Sequence, residues 1–147
     1  MKKFKFELEK VLNIRQKELD SISQEVADCL YKVKLKENEV NILNQELVMI
    51  QEERVTKLSL AISSKDLKQM IFKEESVQLK LESTTLELNE LHEQSKRLLI
   101  KRQNKKIEVN SLEKLRERQK NEYDLNASKQ EEAFIESLWN MKEGSKQ

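Results

Sequence analysis

Starting at Leu8 and stepping alternately by four and three residues, one passes Leu12, Arg15, Leu19, Ile22, Val26, Cys29, Val33, Lys36, Val40, Leu43, Leu47, Ile50, Arg54, Lys57 and Ala61. Most of these positions are apolar, and the residues between them are mostly charged or amide-bearing. This is a heptad seam, narrower than the apolar face of an ordinary globular helix. A helix carrying it from Phe4 to about Ile62 is roughly 90 Å long at about 1.5 Å per residue. Such a helix cannot bury its stripe against itself. The rest of the chain, or another chain, must cover it.

Nothing in the sequence breaks helices elsewhere. There is no proline, and the one glycine is Gly144, a plausible helix stop. Charged residues make up 37% of the chain and aromatics 5%, which with a 3.5-residue period reads as coiled coil or long helix. Disorder of the whole chain competes on hydropathy, and the sustained seam argues against it. Lys and Arg number 28 against 27 Asp and Glu, so no global field attracts nucleic acid or lipid. The longest apolar run, Leu47-Val48-Met49-Ile50, is far short of the roughly 20 residues that span a bilayer. Met1-Lys2-Lys3 is basic, but charged residues interrupt the stretch after it, so no signal peptide is expected. Cys29 is alone, which excludes an intramolecular disulfide. These features point to a soluble cytoplasmic protein.

The seam weakens at Arg54 and Lys57, and a serine-rich stretch comes next. Ser63 precedes Asp66 by three residues, resembling a capping box. The pattern predicts one coiled-coil domain over 1–147: helix 1 about 4–60, reversal about 59–66, helix 2 about 65–143. An unbroken helix and a parallel homodimer are the alternatives. The second stripe includes Met70, Val77, Leu81, Leu88, Leu91, Leu98, Val109, Leu112 and Tyr123. Steps of eleven (Val77, Leu88, Leu99; Leu112, Tyr123, Phe134) suggest a nearly straight pair. A reversal near 65 pairs positions whose numbers sum to roughly 130. It sets the basic run Lys96, Arg97, Lys101, Arg102, Lys105 and Lys106 against Glu18, Asp20, Glu25 and Asp28, each exposed pair adding little. The fold class expected is all-α: a long antiparallel two-helix coiled coil with an overhanging C-terminal helix. The overhang carries Phe134, Ile135, Leu138, Trp139 and Met141. Terminal packing would explain them, but projecting apolar residues rimmed by charge favour a contact site for another protein.

No phosphate loop, dinucleotide fingerprint, zinc-protease motif or nucleophile elbow is present. His92, the only histidine, has no companion ligands and reads as a surface residue. Cys29 reads as a small seam residue. The run 96–106 lacks the interleaved aromatics of a nucleic-acid surface and faces acids. Arg15, Lys36, Arg54 and Lys57 snorkel or fix register; partner recruitment at Arg15 is the alternative. No catalytic residue, cofactor site or metal site is expected.

Two stretches carry a resemblance. The opening Phe4-Lys5-Phe6-Glu7-Leu8-Glu9-Lys10-Val11-Leu12-Asn13-Ile14-Arg15-Gln16 resembles the start of the flagellar export protein FliJ family. The stretch Glu108-Val109-Asn110-Ser111-Leu112-Glu113-Lys114-Leu115-Arg116-Glu117-Arg118-Gln119-Lys120-Asn121-Glu122-Tyr123 resembles that family's second signature. The resemblance spans nearly the whole chain. It implies a non-catalytic component of the flagellar type III export apparatus, shaped like the central stalk of a rotary ATPase. The implied partners are the hexameric flagellar export ATPase, the cytoplasmic domain of the membrane export gate, and export chaperones. Nucleic acid and direct membrane insertion are not among them. The implied location is cytoplasmic, peripheral to the cell membrane at the flagellar base. By that likeness the end holding both termini faces the ATPase, with Phe6, Leu8, Leu12, Arg15, Gln16, Leu112, Arg116 and Tyr123 near the contact. Phe134, Leu138 and Trp139 of the overhang join them. Phe72, Ser76 and Leu79, early in the second helix, would meet the export gate.

Overall fold

The computed structural model describes residues 2–144. It contains two helices, α1 (Glu9–Leu58) and α2 (Ser64–Gly144), packed against each other as an all-α hairpin. The reversal therefore lies at residues 59–63, inside the expected window. Its chemistry is local. Ser59 Oγ donates to the Thr56 carbonyl at 2.6 Å and the Leu60 N–H donates to the Lys57 carbonyl, closing α1. Ser63 Oγ accepts the Asp66 N–H at 3.2 Å, the N-cap half of the expected capping box. No described residue has positive φ, so the chain turns without glycine.

The described residues divide into two compact units. One joins residues up to Ser21 with those from Gln103 onward; the other is Ile22–Arg102.

In the Ile22–Arg102 unit the predicted seam of α1 holds without a gap. Ile22, Val26, Cys29, Val33, Leu43 and Ile50 are buried, and Lys36, Val40, Leu47 and Arg54 are half-buried. Beyond Arg54 the seam positions Lys57 and Ala61 are exposed, because the chain is already reversing. The matching stripe of α2 also steps strictly by three and four: Leu67, Met70, Glu74, Val77, Leu81, Thr84, Leu88, Leu91, Ser95, Leu98 and Arg102 are all buried or half-buried. This corrects the mixed seven-and-eleven reading, since the stripe passes through Leu98 while Leu99 is exposed. The polar members are satisfied locally. Thr84 Oγ1 donates to the Lys80 carbonyl at 2.8 Å and Ser95 Oγ to the His92 carbonyl at 2.8 Å. Glu74 pairs with Arg54, and no buried side-chain polar atom among the described residues lacks a partner. Leu43, Ile50 and Val77 form a cluster extended by Leu47 and Leu81. Burying each such side chain contributes about 1.5–3 kcal/mol before ordering costs.

In the other unit, Phe6, Leu12 and Val109 form the core, with Phe4, Leu19, Leu112 and Leu115 packed on it. Helix α1 begins at Glu9, not near Phe4 as the sequence pattern suggests. Phe4 and Phe6 are two residues apart, hence about 200° apart on a helix, and could not both reach α2. In the observed non-helical segment they share one side, as alternate residues do in extended chain. Phe6 is buried against Val109, and the Phe4 ring lies 5.7 Å from that of Tyr123. Glu9, in the first turn, suits the positive end of the helix dipole.

The expected register is approximately right. Arg15 meets Glu108 at 3.6 Å and Lys105 meets Glu18 at 2.6 Å in this unit. In the Ile22–Arg102 unit Lys36 meets Glu87 at 2.7 Å, and Cys29 Sγ lies 3.7 Å from the Leu91 carbonyl oxygen. The numbers of these four pairs add to 120–123, short of the roughly 130 expected, whereas those of Arg54–Glu74 and His92–Glu37 add to 128 and 129. The charge argument holds only at Lys105. Lys96 turns to Glu93 on its own helix at 3.4 Å, and Asp28 accepts from Gln24 instead. Arg97 and Lys101 are exposed and make no ion pair with α1.

Candidate functional site

A two-helix hairpin buries one stripe of each helix and leaves the rest to water. What the chain can do chemically is therefore set by the faces it leaves open, and the expected site residues fall into three groups.

The first group is used internally. Phe6 and Leu12 are buried, and Leu112 and Tyr123 are half-buried against them or against Phe4. Phe6 and Leu12 thus lie inside the end that carries the termini, and Leu112 and Tyr123 stay half open there. Around them the polar residues are tied down. Arg15 bridges Glu18 at 3.1 Å and Glu108 at 3.6 Å, Arg116 reaches Glu9 at 3.3 Å, and Gln16 donates to Asp20 at 3.1 Å. Arg15 thus pairs both within α1 and across to α2. Glu18 is held below the usual carboxylate range, chiefly by the Lys105 ammonium and then by Arg15; Lys105 is raised by Glu18 and Glu108. Leu8 stays exposed at the edge of this cluster.

The second group, in the same unit, is open. Phe134 and Trp139 are each 63% exposed, and Ile135, Leu138 and Met141 are exposed as well. Phe134, Ile135, Leu138 and Trp139 recur at the one- and four-residue offsets that align side chains along one helix face. Glu131, Glu132 and Glu136 rim them. Every described residue from 128 to 144 is exposed, the expected overhang.

The third group lies in the Ile22–Arg102 unit. Phe72 is 74% exposed, and Ser76 and Leu79 share its face, two positions round from the buried stripe at every turn. Continuing the same three-and-four steps adds Ser83 and Leu86, both exposed, which the sequence pattern alone did not single out. Large and small residues alternate along this line. That is the form of a second heptad seam with no helix on it. Following the step pattern past Leu79 was the available signal. Leu35, Ile42 and Met49 of α1 are likewise exposed at intervals of seven.

His92 lies 3.7 Å from Glu37 and is half-exposed. Cys29 is buried in the seam. No group of three or more potential metal ligands is found among the described residues, and none of their helices is long and apolar enough to cross a membrane.

Long paired helices with a thin internal seam and open apolar faces define the class: an all-α helical hairpin of coiled-coil type. The family rests on the sequence comparison. The family model for the flagellar FliJ protein matches residues 4–135, and the chain belongs to that family. It is accordingly a component of the flagellar export apparatus, in a family without catalytic activity. The match ends at Ile135, so Leu138, Trp139 and Met141 of the tip lie beyond it. No curated protein and no solved structure matches the chain significantly.

Proposed function

We propose that this chain is the stalk and adaptor of flagellar protein export, docking to the hexameric export ATPase by the end that carries the termini. The observation that supports this reading most is the C-terminal stretch of α2, with Phe134, Leu138 and Trp139 exposed on a helix that nothing described covers. Large aromatics are costly to leave in water and are frequent anchors of interfaces. Leu8, Arg15, Gln16 and Arg116 border the docking end, while Phe6, Leu12, Leu112 and Tyr123 hold its shape. In the same reading the line Phe72–Ser76–Leu79 takes the cytoplasmic domain of the export gate, export chaperones bind elsewhere on the hairpin, and the protein works in the cytoplasm, peripheral to the membrane.

The test is binding to the chain's own export ATPase by the double variant Phe134→Ala/Trp139→Ala, with circular dichroism alongside. Truncating an interface anchor commonly costs about 2 kcal/mol or more, about thirtyfold in affinity. The double variant should lose at least that while keeping its helicity, because neither residue lies under the hairpin. Unchanged affinity at full helicity would refute the assignment. A purely structural spacer would, in addition, leave the rate of ATP hydrolysis untouched.

A further inference from the structure

We propose that the outward face of α2 between Leu86 and Lys101 pairs two copies of this chain, antiparallel, about a two-fold axis at the level of Gln94 and Ser95. The face lies wholly in the Ile22–Arg102 unit. It shares no residue with the docking end or with Phe72, Ser76 and Leu79, so the proposal does not rest on the function proposed above. Its first ground is position. The covered stripe here is Leu88, Leu91, Ser95 and Leu98, packed toward α1. Leu86, Glu90, Glu93, Arg97 and Ile100 follow the same three-and-four steps on the opposite side of the helix, and all are exposed. Leu86 and Ile100 are 65% and 64% exposed, two heptads apart with Glu93 midway. A second helix can lie along this face without meeting α1.

The order of charge decides the occupant. Glu87, Glu90 and Glu93 come first with no Lys or Arg among them, and Lys96, Arg97 and Lys101 follow with no acid among them. The signs therefore reverse across the level of Gln94. Antiparallel helices centred there pair positions whose numbers sum to about 189. Glu93 of one copy then meets Lys96 and Arg97 of the other, Glu90 falls between Arg97 and Lys101, and Glu87 faces Lys101. Leu86 lies within about one turn of the second copy's Ile100, on the same flank. A parallel pair would set acid on acid and base on base. A two-fold contact needs a surface that complements itself, and this face does so only when reversed. A foreign helix would have to carry the same order reversed, whereas a second copy carries it already. A polyanion or an anionic bilayer is repelled by the three glutamates in line with the bases. Glu87 also bridges to Lys36 at 2.7 Å, and Lys96 reaches Glu93 at 3.4 Å. Glu90, Arg97 and Lys101 form no ion pair among the described residues, and the second copy supplies one to each. The contact is one helix face wide and about four turns long, so it is weak and transient, with Kd about 0.1–1 mM.

The experiment is sedimentation equilibrium of the full chain from about 10 μM to about 1 mM at low salt, where exposed charges are least screened. Monomer should give way to dimer as concentration rises, and added salt should reverse this. Arg97→Glu/Lys101→Glu makes the whole face acidic, and Glu90→Lys/Glu93→Lys makes most of it basic. Each should weaken self-association by about tenfold or more while circular dichroism shows unchanged helicity. An equimolar mixture of the two variants should associate at least as tightly as the unaltered chain, which a misfolded variant could not do. A short bismaleimide should join Gln94→Cys to its own copy, near the axis, and should not join Asn44→Cys, exposed on α1; Cys29 is buried and stays silent. A chain that stays monomeric throughout, reversals without effect, or a mixture no tighter than either variant alone would each overturn the proposal. Equal crosslinking at Asn44→Cys would overturn it too. So would loss of heparin retention in Arg97→Glu/Lys101→Glu with self-association intact, which would make the face a polyanion site.

Discussion

Replacing Arg54 by alanine should destabilise the hairpin more than an exposed ion pair could explain. Arg54 occupies the last used seam position of α1 and bridges to Glu74 on α2. The two partners are unequally covered: the Arg54 side chain is 36% exposed and that of Glu74 only 10%. Removing the arginine leaves a nearly covered carboxylate without its cation, a desolvation penalty of about 1–3 kcal/mol. A chain of this size loses roughly 2–4 °C in Tm per kcal/mol, so the shift should reach several degrees. Glu74→Ala should cost less, because the guanidinium left behind is open enough to hydrate. The double variant Arg54→Leu/Glu74→Leu restores an apolar rung and should be neutral or stabilising by about 1–4 kcal/mol. Thermal and guanidinium unfolding followed by circular dichroism gives all three values. Hydrogen exchange near residues 50–78 should report the Arg54→Ala loss as local opening. A cost for Arg54→Ala within about 0.5 kcal/mol, the range of surface pairs, would refute the reasoning. A Leu/Leu pair less stable than either single variant would do the same.

Three further outcomes can be checked. Glu18 has a lowered pKa, so its contribution to stability is present above the ordinary carboxylate value and lost as pH falls through the lowered one. Lys105 has a raised pKa, so its share is complete below the ordinary lysine value and lost only as pH rises through the raised one. Lys105→Ala should therefore flatten the acid limb of a Tm-against-pH curve below about pH 4.3, and an unchanged limb would count against the pair. Phe6→Ala, at a ring 8% exposed in the core, should cost about 3–5 kcal/mol, read as a lower guanidinium midpoint. His92→Ala removes only a half-exposed contact to Glu37 and should change Tm and motility within error; loss of motility in a normally folded variant would reveal a role for the histidine.

The legibility of this chain depends on which residues sit on the seam. In α1 the seam positions are mostly aliphatic, and the period read from them matches burial residue by residue from Leu12 to Arg54. In α2 the same period runs through Glu74, Thr84, Ser95, Arg102 and Lys105, and polar side chains hide it. Apolar Leu99 and Phe134, off the stripe, supply a false eleven-residue step. The reversal is legible because Ser63 and Asp66 signal a cap chemically. The start of α1 is not, because Phe4 and Phe6 read as a helical beginning although their spacing of two belongs to extended chain. Of the candidate site residues, sequence can separate apolar from charged but not outward from inward. Phe6 and Leu12 are spent on the interior and Tyr123 is half-covered, whereas Phe72, Leu79 and Trp139 face water.

The exposed end of α2 carries a thermodynamic consequence. Residues 128–144 make about five turns and bury nothing, so this extension of α2 is held by helix propagation alone, which is close to neutral in water where no packing adds to it. Its coil–helix equilibrium therefore sits in series with docking. Any partner that reads the aromatic face must first hold the helix, so the measured affinity is the intrinsic one scaled by the helical fraction. Affinity then becomes tunable from the opposite side of the helix. Ser137→Ala or Asn140→Ala would strengthen binding through intrinsic propensity alone, and warming would weaken it before the hairpin itself begins to melt.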